Sequence, residues 1–173
     1  LIGFKGNPKT SYKKFQEALN PSLFTFSLSG EPTLYPKLGE IIKEIRKRKA
    51  ISFLVTNGQN PEAIKSLEKQ KALPTQLTIS TNAPNEKLFK TWHNSEKKDA
   101  WEKFNETLSL LKKLKGKTRI VIRLTLVQEG DEKEKIKLSN MKQEHISEYA
   151  ELIRKAEPDF IHVKGFKSLA YSR

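Results

Sequence analysis

The chain has 173 residues, 36% of them hydrophobic and 31% charged, which is enough for one domain with a real core. Lys and Arg number 33 against 20 Asp and Glu, and the net charge of +13 favours a polyanionic partner, nucleic acid above all, over a thermophile-type Lys/Glu surface. Zero cysteines exclude disulfides and any thiolate-held metal on these residues, and no apolar stretch approaches the ~20 residues of a membrane span.

No signal peptide is visible, so the expectation is a soluble, cytoplasmic protein. Leu1-Ile2-Gly3-Phe4 and Tyr171-Ser172-Arg173 read as the interior of a longer protein. In chain order, a helix precedes five short apolar runs rich in Ile, Val, Thr, Phe or Leu. These predicted strands are Leu23–Leu28, Ile51–Val55, Gln76–Ser80, Arg119–Val127 and Phe160–Val163. Helical patterns separate them. Leu38, Ile41, Ile42 and Ile45 follow a 3.6-residue period. Pro61–Leu67 opens after Asn60, a good N-cap with Pro at the first helical position. Asp99–Leu114 places Trp101, Phe104, Leu108, Leu111 and Leu114 on one stripe, and Ile146–Ala156 does the same with Ile146, Tyr149, Ala150 and Ile153. Glu129–Asn140 is charged, poor in apolar residues, and reads as a solvated loop or lid.

This alternation predicts an α/β fold, a parallel sheet curled into an open sheet or partial barrel, without internal repeat or dividing linker. In such folds the C-terminal strand ends carry the chemistry. Here they present Ser29, Gly30, Glu31 and Pro32; Thr56, Asn57, Gly58 and Gln59; Ser80, Thr81, Asn82 and Ala83; Arg123, Thr125 and Gln128; and Lys164. Mostly uncharged hydrogen-bonding groups with one acid and two bases suit a zwitterionic, ribose-bearing ligand better than a bare phosphate. Each piece also has a bland reading. Gly-Glu-Pro and Thr-Asn-Gly are common turns, Arg123 could pair structurally with Glu31, and Lys164 could snorkel from a buried run. Co-location at five successive strand ends favours a site.

His93, His145 and His162 lack metal-ligand spacing and read as surface or packing residues; no Ser-His-Asp set, Walker loop or Gly-x-Gly-x-x-Gly is present. Basic residues cluster at Lys43, Arg46, Lys47, Arg48 and Lys49, at Lys112, Lys113, Lys115, Lys117 and Arg119, and at Lys133, Lys135 and Lys137. Each cluster suits phosphate contact or a solvated helix face equally.

The segment Phe26-Ser27-Leu28-Ser29-Gly30-Glu31-Pro32-Thr33-Leu34-Tyr35-Pro36 resembles the glycine-glutamate-proline segment of radical S-adenosylmethionine (SAM) enzymes, in the form of the tRNA 4-demethylwyosine synthases. Phe53 to Gln59, Ser80 to Pro84, Arg123 to Val127, Pro158 to Gly165 and Tyr171-Ser172-Arg173 extend the likeness over nearly the whole chain. The resemblance implies a partial (β/α)6 barrel as one domain, 1–173, lacking the first barrel strand and the C-terminal part. It implies a 4Fe–4S cluster that cleaves SAM to a 5′-deoxyadenosyl radical, which abstracts hydrogen from N1-methylguanosine in tRNA-Phe. The carbon radical then adds to pyruvate to build the tricyclic wyosine base, with an external reductant. By this resemblance Ser29, Gly30 and Glu31 hold the SAM amino group and Asn57 and Asn82 lie near its methionine and ribose parts. Arg123 faces its carboxylate, and Thr56, Ser80 and Thr125 complete the cofactor set. Lys164 contacts pyruvate or forms an imine with it.

Two departures stand out. The family's Cys-x3-Cys-x2-Cys pattern and its second set of cluster cysteines are absent, so this chain alone is expected to be inactive. Asn82 stands where the family pattern has an acid. The alternatives are a noncatalytic basic tRNA-binding β/α domain and a radical SAM enzyme with another substrate.

Overall fold

The computed structural model describes residues 2–28, 30–93, 95, 97–128 and 139–166. Its elements are α1 (Tyr12–Leu19), β1 (Leu23–Phe26), a 3-10 turn (Pro32–Leu34), α2 (Leu38–Lys47), β2 (Ile51–Thr56), α3 (Pro61–Lys69), β3 (Gln76–Ser80), α4 (Glu86–His93), α5 (Ala100–Leu114), β4 (Arg119–Leu126), α6 (His145–Ala156) and β5 (Phe160–Gly165), after a short 3-10 turn at Ile2–Phe4. The five strands form one sheet in the order β1-β2-β3-β4-β5, every pair parallel. Sequential parallel neighbours need a crossover between each pair, and the helices supply it.

Register divides the sheet into two faces. Phe26, Leu54, Leu77 and Ile120 lie side by side, as do Ile79, Ile122 and Ile161. The buried members of these rows join Ile42, Ile64, Leu67, Phe104, Leu108 and Leu111 in the core, so this face packs against the helices. The opposite face carries layers in which Ser80, Arg123 and His162 are neighbours, with Thr125 beside Lys164 one pleat further along. This layering is the sheet's equivalent of a barrel interior.

Several expectations need correction. α4 was not expected; it is short and buries only Phe89, too little apolar periodicity for its sequence to announce. β1 stops at Phe26, because Leu28 adopts φ 88°, outside the extended region. Ile41 and Ile146 point outward at 38% and 59% exposure. α6 instead buries His145, Tyr149, Leu152 and Ala156. The run at β5 is not buried: every residue from Phe160 to Gly165 is exposed, because β5 is an edge strand.

Candidate active site

The turn after β1 is fixed by one carboxylate. Glu31 Oε1 accepts hydrogen bonds from Thr33 N (3.1 Å), Thr33 Oγ1 (2.8 Å) and Thr56 Oγ1 (2.6 Å), and Oε2 accepts from Asn57 N (2.9 Å). Four donors make Glu31 a clasp between the β1 turn and the end of β2. Asn60 adds a second link: its amide donates to Thr33 O while its Oδ1 caps α3 at Ala63 N. Between them Gly58 has φ +73°, and a Cβ there would meet Ile79 Cγ2 at 3.0 Å and Phe104 Cδ2 at 3.2 Å. Only glycine combines that backbone with that space. Gly30, at φ +78°, has open space around it.

The structural pairing of Arg123 with Glu31, the bland alternative for that arginine, does not form. Glu31 is occupied by its own clasp, and Arg123 Nη2 donates to Ser80 Oγ at 2.8 Å, its neighbour in the layer. Among the described residues, Arg123 Nε is buried without a partner, and so are Thr81 Oγ1 and Asn82 Oδ1. Buried polar atoms are ordinarily satisfied, because desolvation without a bond costs about 1–3 kcal/mol each. Three such atoms at the ends of β3 and β4 mark a place where a polar ligand would complete the structure.

The ends of β3 and β4 are held by a residue that sequence reading missed. Asn140, 1% exposed, has its Nδ2 at 2.7 Å from Asn82 O, 2.8 Å from Thr125 O and 2.9 Å from Tyr149 Oη, and its Oδ1 accepts from Val127 N at 2.7 Å. Tyr149 Oη also donates to Asn82 O at 2.9 Å, and burial pushes its phenol well above the usual range. Ser139, also buried, donates to Val127 O. The segment read as a solvated lid therefore ends in a buried clamp, since its last polar residues find backbone partners; 129–138, with Lys133, Lys135 and Lys137, lie outside the described residues, as does Ser29. Beside the clamp Glu148 accepts from Asn85 Nδ2 and lies 2.9 Å from His145 Nδ1, which makes His145 a buried packing residue. His93 stacks on Phe89 at 4.3 Å, and burial lowers its pKa. His162 is exposed.

Lys164 sits at the mouth of an open hollow of about 500 Å³ lined by Leu126, Val127, Gln128, Met141 and Phe166. A larger hollow, about 1120 Å³, lies at the opposite, N-terminal strand ends beside Arg46, Lys117, Arg119 and Asp159. No group of His, Asp or Glu that could hold a metal ion occurs among the described residues. Nor is any described helix long and apolar enough to cross a membrane.

The model of the Radical SAM superfamily matches residues 11–139. The chain belongs to this superfamily. Radical SAM enzymes use SAM with a 4Fe–4S cluster, and the expected family resemblance is thereby borne out at the level of fold and superfamily. The chain is 43% identical over its whole length to the S-adenosyl-L-methionine-dependent tRNA 4-demethylwyosine synthase of Pyrococcus horikoshii, of which it covers 47%. It is 34% identical to the Saccharomyces cerevisiae protein of the same name, with 93% of this chain and 18% of that one aligned. The chain thus spans about half the length of the archaeal relatives it matches and much less of the yeast one. A solved structure of TYW1 with a lysine-pyruvate adduct bound superposes with TM-score 0.77 at 34% identity, covering 97% of this chain and 50% of that one. A domain of a pyruvate-formate lyase-activating enzyme from Bacteroides vulgatus, at 15% identity and TM-score 0.59 over 86% of this chain and 85% of that one, shares the fold.

Proposed function

We propose that this chain is the SAM- and pyruvate-binding part of a tRNA 4-demethylwyosine synthase, which condenses N1-methylguanosine of tRNA-Phe with pyruvate to form the tricyclic wyosine base. The observation that carries the reading is 43% identity, over the whole of this chain, to a protein of that name. As part of the same reading, residues 1–173 form one barrel domain of a cytoplasmic protein served by an external reductant.

The residues present fit SAM. The unpaired Thr81 Oγ1, Asn82 Oδ1 and Arg123 Nε are the kind of groups that ribose hydroxyls and a carboxylate satisfy. In this reading Arg123 takes the carboxylate, and Ser29 and Gly30 face the amino group. Glu31 shares that task chiefly by holding the turn, because both its oxygens already accept from protein donors. Asn57, Ser80, Asn82 and Thr125 supply the remaining hydrogen bonds, while the expected role of Thr56 is corrected: its buried hydroxyl is engaged by Glu31 and Gly58 N and holds the turn instead; Asn82 acts as an amide where the family pattern has an acid. Bound SAM supplies the radical chemistry of the superfamily. A 4Fe–4S cluster does not fit these residues, because the chain has no thiolate.

Lys164 is the residue for pyruvate: its amine adds to the keto carbon and forms an imine, as the lysine-pyruvate adduct in a similar structure suggests. The test is an anaerobic assay of the full-length, cluster-reconstituted protein with SAM, pyruvate, reductant and tRNA-Phe carrying N1-methylguanosine, read by nucleoside mass spectrometry. The tricyclic base should form, and Lys164→Ala should abolish it. SAM cleavage without that base would point to another substrate. Salt-sensitive tRNA binding without SAM binding would favour the noncatalytic module.

A further inference from the structure

The inference concerns His162, and it rests on Lys164 being the imine-forming residue. His162 and Lys164 are two residues apart on β5, so both project from the same face of the sheet. That face is the one opposite the helices. The register sets Phe160 beside Val121, His162 beside Arg123 and Lys164 beside Thr125. Two side-chain contacts confirm the direction. Arg119 lies over the Phe160 ring at 5.7 Å, and Arg123 donates to Ser80 across the same row. The roots of His162 and Lys164 are about 6.6 Å apart along the strand. The charged groups that face His162 are Arg123 from β4 and Lys164 on its own strand.

We infer that His162 is the acid–base residue that completes imine formation at Lys164. The neutral amine of Lys164 adds to the keto carbonyl, giving a carbinolamine once the nitrogen proton has moved to oxygen. The imidazolium of His162 then gives its proton to the carbinolamine hydroxyl, which leaves as water while the nitrogen lone pair closes the C=N bond. The imidazole left behind takes up the next proton from solvent, which its exposure allows. No oxidant or reductant is consumed. Imidazole is suited to this step because it changes protonation near neutral pH.

The experiment is borohydride trapping of [13C]pyruvate on the full-length protein, with the rate followed by intact mass from pH 5.5 to 8.5 and the site mapped by peptide. The unsubstituted protein should trap on Lys164. His162→Gln should slow trapping by about 10²-fold and change its pH profile, while SAM affinity stays unchanged. His162→Ala should be rescued by added imidazole, because the position is open to solvent. Equal trapping rates and pH profiles in His162→Gln and the unsubstituted protein would overturn the assignment. No adduct in the unsubstituted protein would overturn the imine reading itself, and this inference with it.

Discussion

The two ends of the sheet satisfy their polar groups differently. At the N-terminal ends, Thr118 donates to Pro74 O, Ser52 and Thr75 exchange bonds between side chain and backbone, and Asp159 accepts from Ile120 N. At the C-terminal ends, Thr81, Asn82 and Arg123 each keep a buried polar atom unpaired. The N-terminal end has the larger hollow, but two of its bases are already engaged: Arg46 donates to the carbonyls of Lys71 and Leu73, and Lys117 pairs with Glu68. Among the described residues His93 Nε2 and Thr107 Oγ1 are also buried and unpaired, but singly on α4 and α5; it is the grouping of three at one sheet end that locates the site better than volume does.

Charge divides along the same axis. Each of α2, α3, α5 and α6 carries an acid in its first turn and bases in its last, as the helix dipole favours. Because each of these helices runs back toward the N-terminal ends of the strands, the basic clusters around Arg46–Lys49 and Lys112–Arg119 collect at the end away from the unpaired groups. Their position follows from helix electrostatics before any partner is considered.

The comparison can be broken most directly at the clamp. Asn140→Leu should cost about 4 kcal/mol in chemical denaturation, because Val127 N and the carbonyls of Asn82 and Thr125 lose a buried partner. A cost under 1 kcal/mol would mean that the two strand ends hold themselves. Gly58→Ala should cost about 3 kcal/mol, from a left-handed backbone and the contacts with Ile79 and Phe104. Thermal melts in which it matches the parent would disprove the close approach.

Thr81→Val should have the opposite sign: removing a buried, unpaired hydroxyl should stabilise the ligand-free protein by up to about 1 kcal/mol. Destabilisation in ligand-free protein would show that the hydroxyl has a partner. The smallest effect belongs to the far end. There Glu157 has its carboxyl pKa lowered by the hydrogen bond from Lys112 and by the nearby charges of Lys112 and Lys115. That contribution is fully present above the ordinary value of 4.5 and is lost as pH falls through the lower folded value. Lys112→Met should match the parent at acid pH and fall slightly behind it near neutrality; parallel stability curves would refute the linkage.

The parallel sheet and most elements were legible in the sequence because β-branched runs and helical stripes carry strong periodic signals. Strand-end chemistry was legible as a list of residues, since Gly58, Arg123 and Lys164 fall where short strands stop. Partnerships were not. That Glu31 binds Thr56 and Asn57 instead of Arg123 depends on where the turn lands after Leu28 leaves the strand. Asn140 was hidden because a polar residue after a charged run has no sequence mark of burial. α4 was hidden because a helix that buries one phenylalanine has almost no stripe. His162 became informative only through its register with Arg123.

The bare edge at β5 has a consequence for handling the chain in solution. Ile161 and Val163 are 45% and 61% exposed on a strand whose outer side pairs with no other described strand, an arrangement that invites copies to add edge to edge. The +13 charge opposes this by mutual repulsion, which reaches about 10 Å at 0.1 M salt and only about 3 Å at 1 M. Added salt should therefore drive this chain toward self-association, so the concentrated-salt step that strips nucleic acid from a basic protein is also the step at which it would start to aggregate.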